Sequence, residues 1–139
     1  MRATVDHVVL WTADPIRAAE FYERIVGLTP VRVEEFRAGR APFPSVRVSS
    51  ESILDLMSRA AAPVVDAMTG SDASAGQRVN HVCLSMSEGE FTALRERLAA
   101  HDVPTSAMTQ QSFGAQGLAP NAFYFRDPDE NVIEARYYD

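Results

Sequence analysis

Along residues 4–12 the side chains alternate, with Val5, His7, Val9 and Trp11 on one face and Val8 and Leu10 on the other. Period two in β-branched and apolar residues predicts a strand. The pattern then changes to helical spacing: Asp14 and Pro15 form a start signal, and Ile16, Ala19, Phe21, Tyr22, Ile25 and Val26 supply an apolar surface that ends at Gly27. Residues 29–36 and 44–50 predict strands around the loop 37–42, and 52–58 predicts a fourth strand, giving βαβββ. The small, polar stretch from Asp66 to Gln77 suits a linker. Beyond it the order restarts, with a strand over 78–86 and a helix over 88–101 carrying Phe91, Leu94 and Leu98. Strands follow near 104–110, 121–126 and 131–138, and the long interval 111–120 reads as a lid or pocket wall.

The restart is a repeat in residues as well as in elements. Val5-Asp6-His7-Val8-Val9-Leu10 returns as Val79-Asn80-His81-Val82-Cys83-Leu84, and Glu23-Arg24-Ile25-Val26 as Glu96-Arg97-Leu98-Ala99. Each half closes on a short apolar strand with one carboxylate, Asp55 in the first and Glu134 in the second. A long-period repeat of this kind sets the fold. The expected class is α+β, two tandem βαβββ modules over residues 1–65 and 78–139 joined by the linker 66–77. Modules of about 70 residues are marginal alone, so the two halves, or halves from two chains, are expected to share a core.

Composition narrows the partners. The chain has 139 residues and a formal net charge of −6, which argues against nucleic acid or an anionic membrane, both read by concentrated positive charge. All 13 basic residues are arginine, so Schiff-base chemistry and a phosphate-loop lysine are excluded. The single cysteine, Cys83, excludes an intrachain disulfide and a multi-cysteine zinc site. The N-terminal residues lack the apolar run of a signal peptide or membrane span, and a cytoplasmic protein is expected.

The repeated positions carry the chemistry. Alternation puts His7 opposite Val8 and Leu10, and His81 opposite Val82 and Leu84, so both imidazoles are expected to face away from the helices. Val132, Glu134, Arg136 and Tyr138 share one face of the last strand, and matching register gives Asp55 the equivalent outlook. Two imidazoles and one or two carboxylates from rigid strands suit a divalent metal, as a two-histidine, one-carboxylate facial triad or a four-ligand N/O set. A single histidine beside an apolar strand would read as an ordinary half-exposed residue; its repetition is what points to a site.

These motifs, DHVVLWTADPIRAAEFYERIVGL, NHVCLSM and AFYFRDPDENVIEARYY, resemble the vicinal oxygen chelate superfamily. That superfamily includes glyoxalase I, extradiol dioxygenases, fosfomycin-resistance proteins and bleomycin-binding proteins. The resemblance implies a curved, cup-like mixed sheet with helices outside, and one divalent metal (iron, zinc, nickel, cobalt or manganese) held by His7, His81 and Glu134. Glyoxalase-like members use a fourth ligand at the position of Asp55, usually glutamate; the shorter aspartate would ligate the metal directly, reach it through water or act as a base. Glu130 stands where the family's turn commonly has glycine, a left-handed position that costs a non-glycine residue roughly 1 kcal/mol.

The same resemblance makes Trp11, Tyr124, Arg136 and Tyr138 the substrate-lining candidates, with packing as their plainer role. Glu134 or Asp55 would move a proton in a glyoxalase-like isomerisation or lyase reaction. In an extradiol ring cleavage, iron would bind substrate and oxygen. The alternative is a non-catalytic protein that sequesters a small molecule or drug. A small-molecule partner and a homodimer are expected, with the cup closed within one chain or across two. Arg32, Arg37, Arg40 and Arg47 either greet an anionic substrate or form a solvated surface. His101 reads as a helix-end dipole contact, and Cys83, on the same face as His81, either borders the pocket or, by preference, is a buried small hydrophobe.

Overall fold

Asp14 opens the first helix by accepting the backbone N–H groups of Ile16 and Arg17 at 3.1 and 3.2 Å, with Pro15 in the first turn. In the computed structural model, which describes residue 5, residues 7–76 and residues 79–139, this helix α1 spans Pro15–Phe21. It continues as a π-helical turn over Tyr22–Val26 and stops at Gly27, whose φ of 89° is the left-handed cap that glycine adopts without strain. The chain divides into two compact units, Met1–Arg78 and Val79–Asp139.

The first unit holds strands β1 (His7–Thr12), β2 (Thr29–Val31), β3 (Ser45–Arg47) and β4 (Ile53–Ser58). The sheet order is β1-β4-β3-β2, with β1 parallel to β4 and the other pairs antiparallel. Leu10, Ala18, Ala19, Phe21, Tyr22, Val46, Leu54 and Leu56 are buried here. Residues 4 and 6 of the expected first strand lie outside the described residues. Two expectations need correction. Residues 33–36, read as strand, belong to helix α2 (Val33–Arg37), which follows Arg32 in a left-handed conformation (φ 61°). Acidic Glu34 and Glu35 in its first turn and Arg37 in its last favour the helix dipole, which a strand pattern ignores. The strand expected over 44–50 ends at Arg47, because the backbone N–H groups of Val48 and Ser49 both turn back to the Ser52 carbonyl.

Helix α3 (Ala62–Thr69) runs into the stretch read as a linker and ends at Gly70 with φ 77°. A 3-10 turn follows over Ser74–Gly76, where the Asp66 carboxylate accepts both the amide and the hydroxyl of Ser74. Short polar residues thus serve here as caps and turns.

The second unit repeats the plan with β5 (Val82–Ser85), α4 (Glu88–Ala100), β6 (Thr109–Gly114), β7 (Gly117–Arg126) and β8 (Val132–Tyr137). Its order, β5-β8-β7-β6 with β5 parallel to β8, is that of the first sheet. Ser87 and Glu90 form a capping box at the start of α4. Phe91, Leu94 and Leu98 are buried, and the Phe91 ring meets Phe123 and Tyr137 edge-on, each at 4.9 Å. The interval 111–120, read as a long loop, is paired strand, the tip of the β6–β7 hairpin. Gly114 pairs with Gly117 around the two residues Ala115 and Gln116, and Gly117 adopts φ 99°. Glu130 takes the expected left-handed conformation at φ 67°. Among the described residues no helix is long and apolar enough to cross a membrane.

Candidate metal site

Identical registers place one carboxylate at the centre of each sheet. In the first, Asp55 on β4 lies between Val9 and Ser45; in the second, Glu134 on β8 lies between Cys83 and Tyr124. Val9 and Cys83 each stand two positions after their unit's repeated histidine. Side chains two apart on a strand share a face, so histidine and carboxylate come to one side through backbone geometry alone.

In the second unit the two meet. His81 Nε2 is 3.2 Å from Glu134 Oε2, with the Glu134 side chain 2 % exposed and that of His81 36 %. The other ring nitrogen, Nδ1, lies 2.7 Å from Asn80 Oδ1. An amide oxygen only accepts, so Nδ1 carries the proton of this bond. Nε2 then presents a lone pair or, in the imidazolium, a second N–H. A lone pair directed at a carboxylate oxygen across 3.2 Å is repulsive, so the contact calls for a cation at that point, a proton or a metal. The imidazole edge also meets the Tyr124 ring, centroids 5.5 Å apart and planes at 89°.

The second carboxylate oxygen is already engaged. Arg136 donates to Glu134 Oε1 through Nε at 3.2 Å and Nη2 at 2.5 Å, both side chains being buried. The guanidinium is itself held by the Ser112 carbonyl (Nη1, 3.3 Å), the Ser112 hydroxyl (Nη2, 3.1 Å) and the Tyr138 hydroxyl (Nη1, 3.3 Å). Burial alone would lower the Arg136 pKa, but the oxygens of Glu134 and Tyr138 outweigh it and raise it above the usual arginine value. Cys83 is pushed up to about 11, by burial first and by the Glu134 charge second. The same two causes raise the Tyr124 hydroxyl.

Several expectations are settled by these contacts. Glu134, Arg136 and Tyr138 share a face as alternation requires, and Tyr124 joins them from β7. Cys83 is exposed, which corrects its reading as a buried small hydrophobe: its sulfur lies beside the charged pair of Glu134 and Arg136 at the sheet surface and not in the apolar layer. Asp55 is buried, 5 % exposed, and accepts a 2.6 Å hydrogen bond from Ser45 Oγ. In the first unit His7 is exposed at the start of β1, and Trp11 pairs in register with Met57. His101 is the C-terminal cap residue of α4. Asn80, Ser112 and Ser45 were not anticipated. Asn80 immediately precedes the repeated histidine and was open to notice; Ser112 lies in the stretch read as loop and gave no periodic signal.

The donors fit a divalent ion. Nitrogen and oxygen ligands at ~2.1 Å put cis donors ~3.0 Å apart in an octahedron and ~3.4 Å apart in a tetrahedron, and the observed 3.2 Å lies between. The Nδ1–H bond to an amide oxygen is the second contact that fixes tautomer and ring orientation in metal-ligating histidines. Among the described residues no group of three or more His, Cys, Asp or Glu side chains is assembled for a metal, so this pair is what the second unit offers.

Two duplicated sheets with a histidine–carboxylate pair define a small α+β protein of the vicinal oxygen chelate type. The chain belongs to the Glyoxalase/Bleomycin resistance protein/Dioxygenase superfamily, whose model matches residues 4–135. It is similar in structure to an integron cassette protein from the mobile metagenome of V. cholerae, with TM-score 0.70 and 24% identity, over 100% of this chain and 98% of that one. It is also similar to lactoylglutathione lyase from Agrobacterium tumefaciens, with TM-score 0.71 and 19% identity, over 99% and 95%. A glyoxalase/bleomycin resistance protein/dioxygenase family enzyme from Burkholderia phytofirmans PsJN gives TM-score 0.70 and 14% identity, over 99% and 100%. At such identities the likeness concerns the fold. A search of curated proteins finds no significant match.

Proposed function

We propose that the protein is a metal-dependent enzyme acting on a small substrate chelated through two adjacent oxygens, by glyoxalase-like isomerisation or lyase chemistry or by extradiol ring cleavage. The observation that carries this reading is His81 Nε2 standing 3.2 Å from Glu134 Oε2 while Asn80 holds Nδ1. In this proposal His81 and Glu134 are two of the ligands and His7 of the first unit is a third. Asp55, held by Ser45, serves as a fourth ligand or as the base that moves a substrate proton. A bound divalent ion would act as a Lewis acid toward the substrate oxygens. Tyr124, Tyr138 and Trp11 are the proposed substrate-lining side chains, whereas Arg136 holds Glu134 in place. A homodimer in the cytoplasm is part of the same reading.

One observation favours a second reading, a metal-free protein that sequesters a small molecule: Arg136 already neutralises Glu134 from within the chain. Elemental analysis of protein purified without chelator separates the two. The enzyme reading expects about one divalent ion per chain, lost in His7→Ala and in His81→Ala. An intact fold without metal at any stage of purification favours the binder. Oxygen-sensitive iron would point to ring cleavage, and zinc, nickel, cobalt or manganese to isomerisation or lyase chemistry.

A further inference from the structure

Resting on the metal-site reading, we infer that Arg136 is a positioning residue that restricts Glu134 to one-oxygen ligation and competes with the metal for its charge. The two carboxylate oxygens are not equivalent. Oε1 accepts two hydrogen bonds from the Arg136 fork, whereas Oε2 faces His81. A carboxylate oxygen that takes both donors of a buried guanidinium is committed to that cation, and the group cannot turn both oxygens toward one ion without giving up the pair. The clamp is fixed in turn: Ser112 accepts from the guanidinium through its carbonyl and its hydroxyl, and Tyr138 accepts through its hydroxyl. With Arg136 5 % exposed and Glu134 1 % exposed, water offers neither side chain an easy replacement partner.

Two opposing consequences follow from the same contact. The ion pair stabilises the metal-free protein, because neither buried charge is left alone. It also weakens metal binding, because the ligand's charge is shared with a permanent cation that is still there when the ion arrives. A role confined to packing would lower stability and metal affinity together. If Arg136 instead competes with the metal, its removal lowers stability and raises affinity.

The test is titration of the full-length, metal-free protein with Co²⁺, followed by d–d absorption and calorimetry, alongside thermal unfolding of each variant without metal. Arg136→Met is expected to melt at a lower temperature than the native protein yet bind Co²⁺ on the order of tenfold more tightly. Arg136→Lys keeps the charge without the fork, protects the experiment if the methionine variant does not fold, and is expected to show a smaller change of the same signs. Weaker or unchanged Co²⁺ binding in the folded variants overturns the inference. If the native protein binds no Co²⁺ and Arg136→Met does, the inference stands and the metal-enzyme reading of the native chain falls. If none of the proteins binds Co²⁺, both fall.

Discussion

Both halves of the molecule put a carboxylate on an inner strand of an identically ordered four-stranded sheet, but they satisfy it by different means. Asp55 is shorter, lies between Val9 and Ser45, and is held by one serine hydroxyl at 2.6 Å. Glu134 lies between Cys83 and Tyr124, reaches His81 with one oxygen and takes a two-pronged guanidinium on the other. The difference two residues further along the strand is the informative one. The first half has Met57 there and the second has Arg136, so duplication supplied the frame and local substitution supplied the charge. A buried ion pair adds little net stability beside an apolar pair, but losing one partner costs a great deal. The second half is therefore the one in which a single change exposes the electrostatics.

The largest expected effect follows directly. Glu134→Ala strands the Arg136 guanidinium in a buried position and should lower the unfolding free energy by ~3–5 kcal/mol, measured by urea denaturation at pH 7. Asp55→Ala leaves a serine hydroxyl without its acceptor and should cost ~1–3 kcal/mol. Equal losses in the two variants would erase the contrast between the halves.

Next in size is a chemical asymmetry, since Val9 has no counterpart to the thiol of Cys83. The Cys83 pKa is raised from 9.0 to about 11, so at pH 8 its thiolate fraction should be roughly a hundredfold lower than that of a free cysteine, one unit of pKa being tenfold. The folded state holds this proton more tightly than the unfolded chain. Its contribution to stability is therefore complete below pH 9.0 and disappears as the pH rises toward about 11. Iodoacetamide alkylation followed against pH should rise with a midpoint near 11, and a midpoint at the free-thiol value would mean that the sulfur is neither desolvated nor beside the Glu134 charge.

How much of this was legible in the sequence depends on the kind of signal. Strands β1, β4, β5 and β8, helices α1 and α4, and the repeated histidine and carboxylate all declare themselves through periodicity, capping residues or repetition. Helix α2 was hidden because Val31 and Val33 alternate as a strand does, and five helical residues are too few for their own period to decide. The β6–β7 hairpin was hidden because polar Gln111 and Ser112 resemble loop residues, while the pairing that makes a strand of this stretch comes from β7. The Arg136 clamp was half visible: alternation put Arg136 beside Glu134 but could not say that it would turn onto the carboxylate, because Ser112 comes from another strand.

Smaller effects sharpen the comparison from outside the site. The helix following the first strand of each half begins on a side-chain cap, Asp14 in one and Ser87 with Glu90 in the other. Asp14→Ala and Ser87→Ala should each cost about 1 kcal/mol in chemical denaturation. The Ser87 backbone and hydroxyl contacts lower the Glu90 pKa, so part of the second cap's benefit should fade as the pH falls below the ordinary carboxylate range. Smallest of all, Glu130→Gly relieves a left-handed residue at φ 67° and should stabilise the protein by up to roughly 1 kcal/mol, read as a higher melting temperature.

The most direct test of the central claim is the protonation pattern of the His81 ring, read by long-range ¹H–¹⁵N NMR on the full chain before and after zinc is added. The account predicts a proton on Nδ1 throughout, held toward Asn80, and an Nε2 whose ¹⁵N resonance moves when zinc arrives. A neutral ring carrying its proton on Nε2, with a resonance that zinc leaves in place, would contradict it.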